Sequence, residues 1–140
     1  MDQIAAIRAQ CEAGRTFTKQ VLGATFTLTL PPHGEIVDRV WSVVDPNARR
    51  KALAEILLEA LTEWDGVVVG MFVLSDDQAP VPLPADRSKL GAEDDPAVVL
   101  FRERTDIMAD LLDALTEKLI ERGKRIGDER KNFGGTSTPS

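Results

Sequence analysis

The chain has one cysteine, one histidine and no tyrosine, and aromatic residues make up only 5% of it. A single thiol, Cys11, excludes an intramolecular disulfide and a cysteine-based zinc site. A single imidazole, His33, means that any nucleophile–histidine pair must use that one residue. Without tyrosine there is little to build a stacking platform for single-stranded nucleic acid. Basic residues are also in deficit. The 17 Lys and Arg against 23 Asp and Glu leave a formal net charge of −6, which is the wrong sign for neutralising phosphates and suits a basic partner. No apolar run reaches the length of a membrane span. Residues 1–10 carry an acid at Asp2 and no long apolar stretch, so they do not read as a signal peptide, and a cytoplasmic protein is expected.

What remains is ordinary globular material: 140 residues, 43% hydrophobic and 29% charged, enough for one domain with a real core. Residues 1–130 are expected to form a single, mostly helical domain, and residues 131–140 a flexible tail. Ile4, Ala6, Ile7 and Cys11 recur at helical spacing ahead of Gly14, which predicts a first helix over 2–13 with Cys11 as a small core residue. Thr25 to Leu30 alternates threonine with large apolar residues, the period of a half-buried strand. Thr16–Val21 is its candidate partner across a turn near Gly23, and Pro31-Pro32 ends the pairing.

Helical spacing returns with Ile36, Val37, Val40, Trp41 and Val44. Asp45-Pro46 then reads as an N-cap with proline in the first turn. The following stripe, Leu53, Ile56, Leu57, Ala60, Leu61 and Trp64, predicts a helix that runs to Asp65-Gly66. Val67–Leu74 is a continuous apolar run, read as a short buried strand. Ser75–Pro84 reads as a loop, and Ala85–Ala92 as one or two helical turns. Asp95-Pro96 repeats the cap and opens a long helix with a stripe through Val99, Ile107, Met108, Leu111, Leu112, Leu115, Leu119 and Ile120. Gly123 and Gly127 weaken its last turns by about 1 kcal/mol each relative to alanine. The expected fold class is mainly α with a small β element (α+β), a small helical domain with an N-terminal β-hairpin and a long C-terminal helix.

The search for chemistry ends in absences. His33 sits in Pro-Pro-His-Gly, a turn expected to face solvent, with no serine or cysteine motif beside it. Asp76-Asp77 and Asp94-Asp95 lack the alternating ligands and glycine of a calcium loop, and read as a loop and a helix cap. Glu35 and Asp38 share a helix face without a visible opposing carboxylate. No glycine-rich nucleotide signature occurs. The expectation is no enzyme, no cofactor and no metal. Apolar surface remains. Trp64, Met71, Phe72, Met108, Leu111, Leu112, Leu115 and Leu119 are the candidate partner-binding residues, with core packing as the competing account of each.

Several segments, in order, carry a family likeness. These are Thr25-Phe26-Thr27-Leu28-Thr29-Leu30-Pro31-Pro32, the segment from Leu57 through Trp64-Asp65-Gly66-Val67, then Pro80-Val81-Pro82-Leu83-Pro84-Ala85-Asp86. Asp94-Asp95-Pro96-Ala97-Val98 follows, then a long helix and a closing Arg130-Lys131-Asn132. Across residues 25–66 and 80–132 the chain resembles the tail assembly chaperones of long-tailed phages and prophages. It departs from them in the strongly apolar Val67–Leu74 run. The resemblance implies a non-enzymatic protein of the bacterial cytoplasm that binds the tape measure protein and keeps it soluble while the tail tube assembles, and that is absent from the finished virion. It also implies a longer product made by a −1 programmed frameshift, which would recruit the tail tube protein. Lys131-Asn132 is compatible with a slippery A-AAA-AAC heptamer. A structural phage protein retained in the virion, such as a head–tail connector or tail completion subunit, is the alternative, and a small metal- or nucleotide-dependent enzyme the third. Partners expected are the tape measure protein and no nucleic acid or membrane; a homo-oligomer is left open.

Overall fold

A computed structural model of the chain describes residues 2–134. Its elements are α1 (Gln3–Gly14), β1 (Thr16–Val21), β2 (Ala24–Thr29), α2 (His33–Ile36), α3 (Pro46–Ala60), β3 (Leu61–Asp65), α4 (Val69–Val73), α5 (Pro96–Glu103) and α6 (Thr105–Gly134). The α+β class, the N-terminal hairpin and the long C-terminal helix are all present.

The hairpin forms as the alternation predicts, in the register Thr16↔Thr29 to Val21↔Ala24. Its inner face carries Val21, Ala24, Phe26 and Leu28, all buried, with Phe17 half-buried; the threonines point outward. The sheet order is β1-β2-β3, all antiparallel. Onto its apolar face pack Ile56, Leu57 and Ala60 of α3, Leu100 and Phe101 of α5, and Ile107, Leu111, Leu115 and Leu119 of α6. This is one continuous core between a small sheet and a helical layer, the arrangement an α+β domain uses to bury both amphipathic surfaces.

The third strand corrects the sequence reading. The helix opened by Asp45, whose Oδ2 accepts the Ala48 N–H at 3.1 Å, stops at Ala60 rather than reaching Trp64. Leu61 turns extended, and Trp64 pairs with Phe26 while Leu61 pairs with Leu28. Residues three apart share a face of this strand because it bulges at Thr62, the extra residue opposite the Thr27/Leu28 step. The bulge makes a strand imitate helical spacing.

Four further expectations change. Val67–Leu74 is not a strand: Val69–Val73 is a short helix with Val67, Gly70 and Met71 buried, while Val73 and Leu74 are exposed. Ala85–Ala92 forms turns and bends without a helix. The helix begun at Asp95-Pro96 ends at Glu103, and α6 restarts after Arg104, whose backbone (φ −127°, ψ 76°) leaves the helical region. Cys11 is exposed, not a core residue; α1 buries none of its side chains.

Two smaller differences lie around α2 and the C-terminus. The helical spacing from Ile36 to Trp41 is realised as α2 followed by a π-helical turn over Val37–Trp41. Arg49 closes that turn, donating to the carbonyls of Val40 and Val43 and lying 5.8 Å from the Trp41 ring. At the other end α6 continues through Gly134, so residues 131–134 of the expected tail are helical; the rest of that tail lies outside the described residues. No helix among the described residues is long and apolar enough to cross a membrane.

Candidate functional site

The hairpin closes through Leu22 and Gly23, both at positive φ (51° and 81°). Two consecutive positive-φ residues are what a type I′ turn requires, and this turn matches the strand twist. Gly23 suits it; leucine does not, because its Cβ crowds the following carbonyl. Beneath the tip lies Gly66, itself at φ 82°, where an added Cβ would stand 3.2 Å from the Gly23 carbonyl oxygen.

From Gly66 the chain enters α4, and the following loop folds back over it. The N–H groups of Val69 and Gly70 donate to the carbonyls of Ala79 (2.9 Å) and Asp77 (2.8 Å), and that of Val81 donates to Val67 (2.9 Å). The loop is thus a strap tied along α4. Leu74 ends the helix in the left-handed region (φ 56°, ψ 52°), and the Ser75 N–H returns to the Gly70 carbonyl at 3.1 Å. Left-handed helix ends normally fall on glycine or asparagine. Leu22, Met71 and Ser75 line a single surface depression, together with Arg104. Leu22 and Leu74 are 64% and 77% exposed. They are the only non-glycine residues at positive φ among those described.

Charge surrounds this end unevenly. Arg104 donates to the Met71 carbonyl at 3.2 Å and grips both carboxylate oxygens of Asp106, at 3.0 and 2.8 Å. The bidentate grip holds the Asp106 carboxyl down at about 2. A neighbouring depression, which Leu22 also lines, carries Asp110, Asp113 and Glu117 against Lys19 alone. A strained apolar tip therefore borders an acidic wall.

The sequence-predicted partner residues divide by burial. Leu111, Leu115, Leu119 and Met71 lie in the core; Met108, Leu112 and Phe72 are half-buried against it. Trp64 stands edge-on to Phe26 (centroids 6.0 Å apart, 84° between planes), and its indole N–H donates to the Val81 carbonyl at 2.7 Å. It pins the strap. Met71 alone of the set lines the depression under the hairpin tip. Sequence reasoning missed Leu22 and Leu74; the signal available was Leu-Gly at a two-residue turn where Asn-Gly is the usual pair.

His33 begins α2, half-buried rather than solvent-facing, with its ring near Gly123 of α6. Asp95 is the N-cap of α5, as expected. Among the described residues no group of three or more His, Cys, Asp or Glu side chains is placed to hold a metal ion. No protein-family model, no curated protein and no solved structure matches the chain.

Proposed function

We propose that the chain is a phage tail assembly chaperone that binds the tape measure protein in the bacterial cytoplasm and keeps it soluble during tail tube assembly. The observation that supports this reading best is the pair Leu22 and Leu74. Each is a large apolar side chain held in solvent, and each occupies a backbone conformation that disfavours leucine by roughly 1–2 kcal/mol. Neither gains burial in the chain itself. Strain of this kind clusters where a surface is used. Leu22 beside acidic side chains, with Leu74 exposed at the end of α4, suits an amphipathic helix with basic flanks, the kind of segment a long helical protein exposes before assembly.

The test separates stability from binding. Asparagine at both positions, Leu22→Asn with Leu74→Asn, relieves the backbone and removes the apolar anchors. The double variant is expected to raise the denaturant midpoint, by about 1–2 kcal/mol of stability, while weakening tape measure binding at least about ten-fold. Unchanged binding in titrations would move the contact surface elsewhere. Lower stability would show that the two leucines pack within the fold.

A further inference from the structure

The two edges of the sheet are finished differently. β3 is short, bulges at Thr62 and is flanked by the proline-rich strap, where Val81 accepts the Trp64 indole N–H and donates its own N–H to the Val67 carbonyl. Proline, bulges and cover are the usual means of closing an edge to further pairing. β1 has none of them: its six residues keep an unbroken register and include no proline. The preceding α1 buries none of its side chains and does not cover it. Thr18, Lys19 and Gln20 are exposed in succession.

The ladder identifies which groups stand open. The Leu30 N–H donates to the Arg15 carbonyl at 2.9 Å, and Val21↔Ala24 closes the two-residue turn. Bonded and non-bonded pairs alternate along an antiparallel ladder. Arg15, Phe17, Lys19 and Val21 therefore bond to β2, while Thr16, Thr18 and Gln20 turn their N–H and C=O groups away from it. No other element among the described residues bonds to these backbone groups.

Alongside this edge α6 forms a charged floor, with a depression at each end of β1. Near Val21 the floor carries Asp110, Asp113 and Glu117 against Lys19 alone. Near Arg15 it carries Lys118, Arg122 and Arg125 against Glu121 and Glu129. Lys118 pairs with Glu121 at 3.7 Å; Arg122, Arg125 and the three acids near Val21 have no ion-pair partner among the described residues. From Asp110 to Arg125 the helix rises about 22 Å, and from Arg15 to Val21 the strand rises about 20 Å. The charge of the floor thus reverses over the length of the strand.

We infer that β1 accepts an extended peptide segment of a partner protein as a fourth, antiparallel strand, with a basic residue opposite Val21 and an acidic residue six positions later, opposite Arg15. Residues directly opposite one another share a face of the sheet. The base then lies over Asp110 and Asp113, the acid over Arg122 and Arg125, and an apolar residue two positions before the acid packs on Phe17. Main-chain bonds to Thr16, Thr18 and Gln20 supply the affinity, and the floor fixes the direction. A parallel strand of the same sequence, or an antiparallel one of reversed charge order, brings like charges together. The inference stands apart from the chaperone reading, because it uses neither Leu22 nor Leu74.

Amide hydrogen exchange of the full, isotope-labelled chain tests it, with the capped peptide Lys-Thr-Thr-Thr-Val-Thr-Glu as probe. The Thr18 and Gln20 amides are expected to gain at least about ten-fold protection on titration, while those of Phe17 and Lys19, already bonded to β2, change little. The same residues in reverse order should bind at least about ten-fold more weakly. So should the probe N-methylated at its second and fourth residues, whose N–H groups face β1. N-methylation at its third and fifth residues, which face away, should leave binding largely unchanged. In the chain, Thr18→Pro removes an outward N–H and spares the ladder to β2. It should abolish binding with an unchanged circular dichroism spectrum, whereas Arg122→Gln with Arg125→Gln should keep binding and lose most of the preference for charge order. No added protection of Thr18 and Gln20 overturns the inference, as do equal binding of the reversed peptide or equal effects of the two N-methylation patterns. Protection that grows with protein concentration in the absence of peptide also overturns it, and gives the edge to a second copy.

Discussion

Replacing Asp95 with alanine is expected to destabilise the fold by about 3 kcal/mol or more. This aspartate is 9% exposed, and its carboxylate does two things. Oδ1 accepts the Ala97 N–H at 3.0 Å and so caps α5, a contribution of about 1 kcal/mol. Oδ2 lies 3.9 Å from Nε of Arg87, whose side chain is itself only 15% exposed. Arg87 also donates to the Leu58 carbonyl, which ties the turn region 85–94 to α3, and its Nη1 has no hydrogen-bond partner. Without the carboxylate, a guanidinium already short of partners loses its only counter-charge among the described residues. Asp95→Asn keeps a capping oxygen and removes the charge, so its loss should be smaller. In a double-mutant cycle, Arg87→Met is expected to recover part of the Asp95→Ala loss. Chemical denaturation of the wild type, the three single variants and the double variant reads all of this. Additive losses would mean that the two side chains act independently.

Gly70→Ala is expected to cost about 3 kcal/mol, at the upper end of what overpacking produces. A methyl group at Gly70 would stand 2.2 Å from the Ser75 carbonyl oxygen and 2.8 Å from that of Asp77. Both are backbone atoms, so no side chain can swing away. The Gly70 N–H is bonded to that same Asp77 carbonyl and its own carbonyl to the Ser75 N–H, so the strap must detach for the methyl to fit. Detachment also frees the Val81 carbonyl from the Trp64 indole, and the Trp64 emission should shift to the red along with the loss of stability. Gly34 is the control: nothing lies within 4 Å of its added Cβ, and it sits in a helix. Alanine there should be neutral or stabilising by up to about 1 kcal/mol. Equal effects of the two substitutions would contradict the packing described for α4.

The residues that signalled clearly were those with a single local cause. Threonine–apolar alternation gave the hairpin, and the two Asp-Pro pairs gave the starts of α3 and α5, because period and capping are properties of neighbouring residues. The misreadings have a common physical origin in contacts made across the chain. Leu61 and Trp64 look helical because a bulge between them, with Thr62 as the extra residue facing the Thr27/Leu28 step, resets the alternation. The Val67–Leu74 run looks like a strand because nothing local reveals the strap that curls it into α4. The break at Arg104 depends on its side chain reaching Met71, 33 positions earlier in sequence. At the candidate site, length and hydrophobicity drew attention to the leucines of α6, which turn out to build the core. The two leucines that stand in solvent carry no periodic signal. They are conspicuous only once the backbone shows that each holds a conformation suited to glycine or asparagine.

The central claim is that this chain holds a long helical partner in solution. Its most direct test is co-expression with the tape measure protein of the same genome, followed by size-exclusion chromatography. The account predicts a soluble complex that elutes together, with the tape measure protein insoluble when expressed alone. A tape measure protein that precipitates regardless while this chain elutes by itself, or one that is fully soluble without it, would contradict the account.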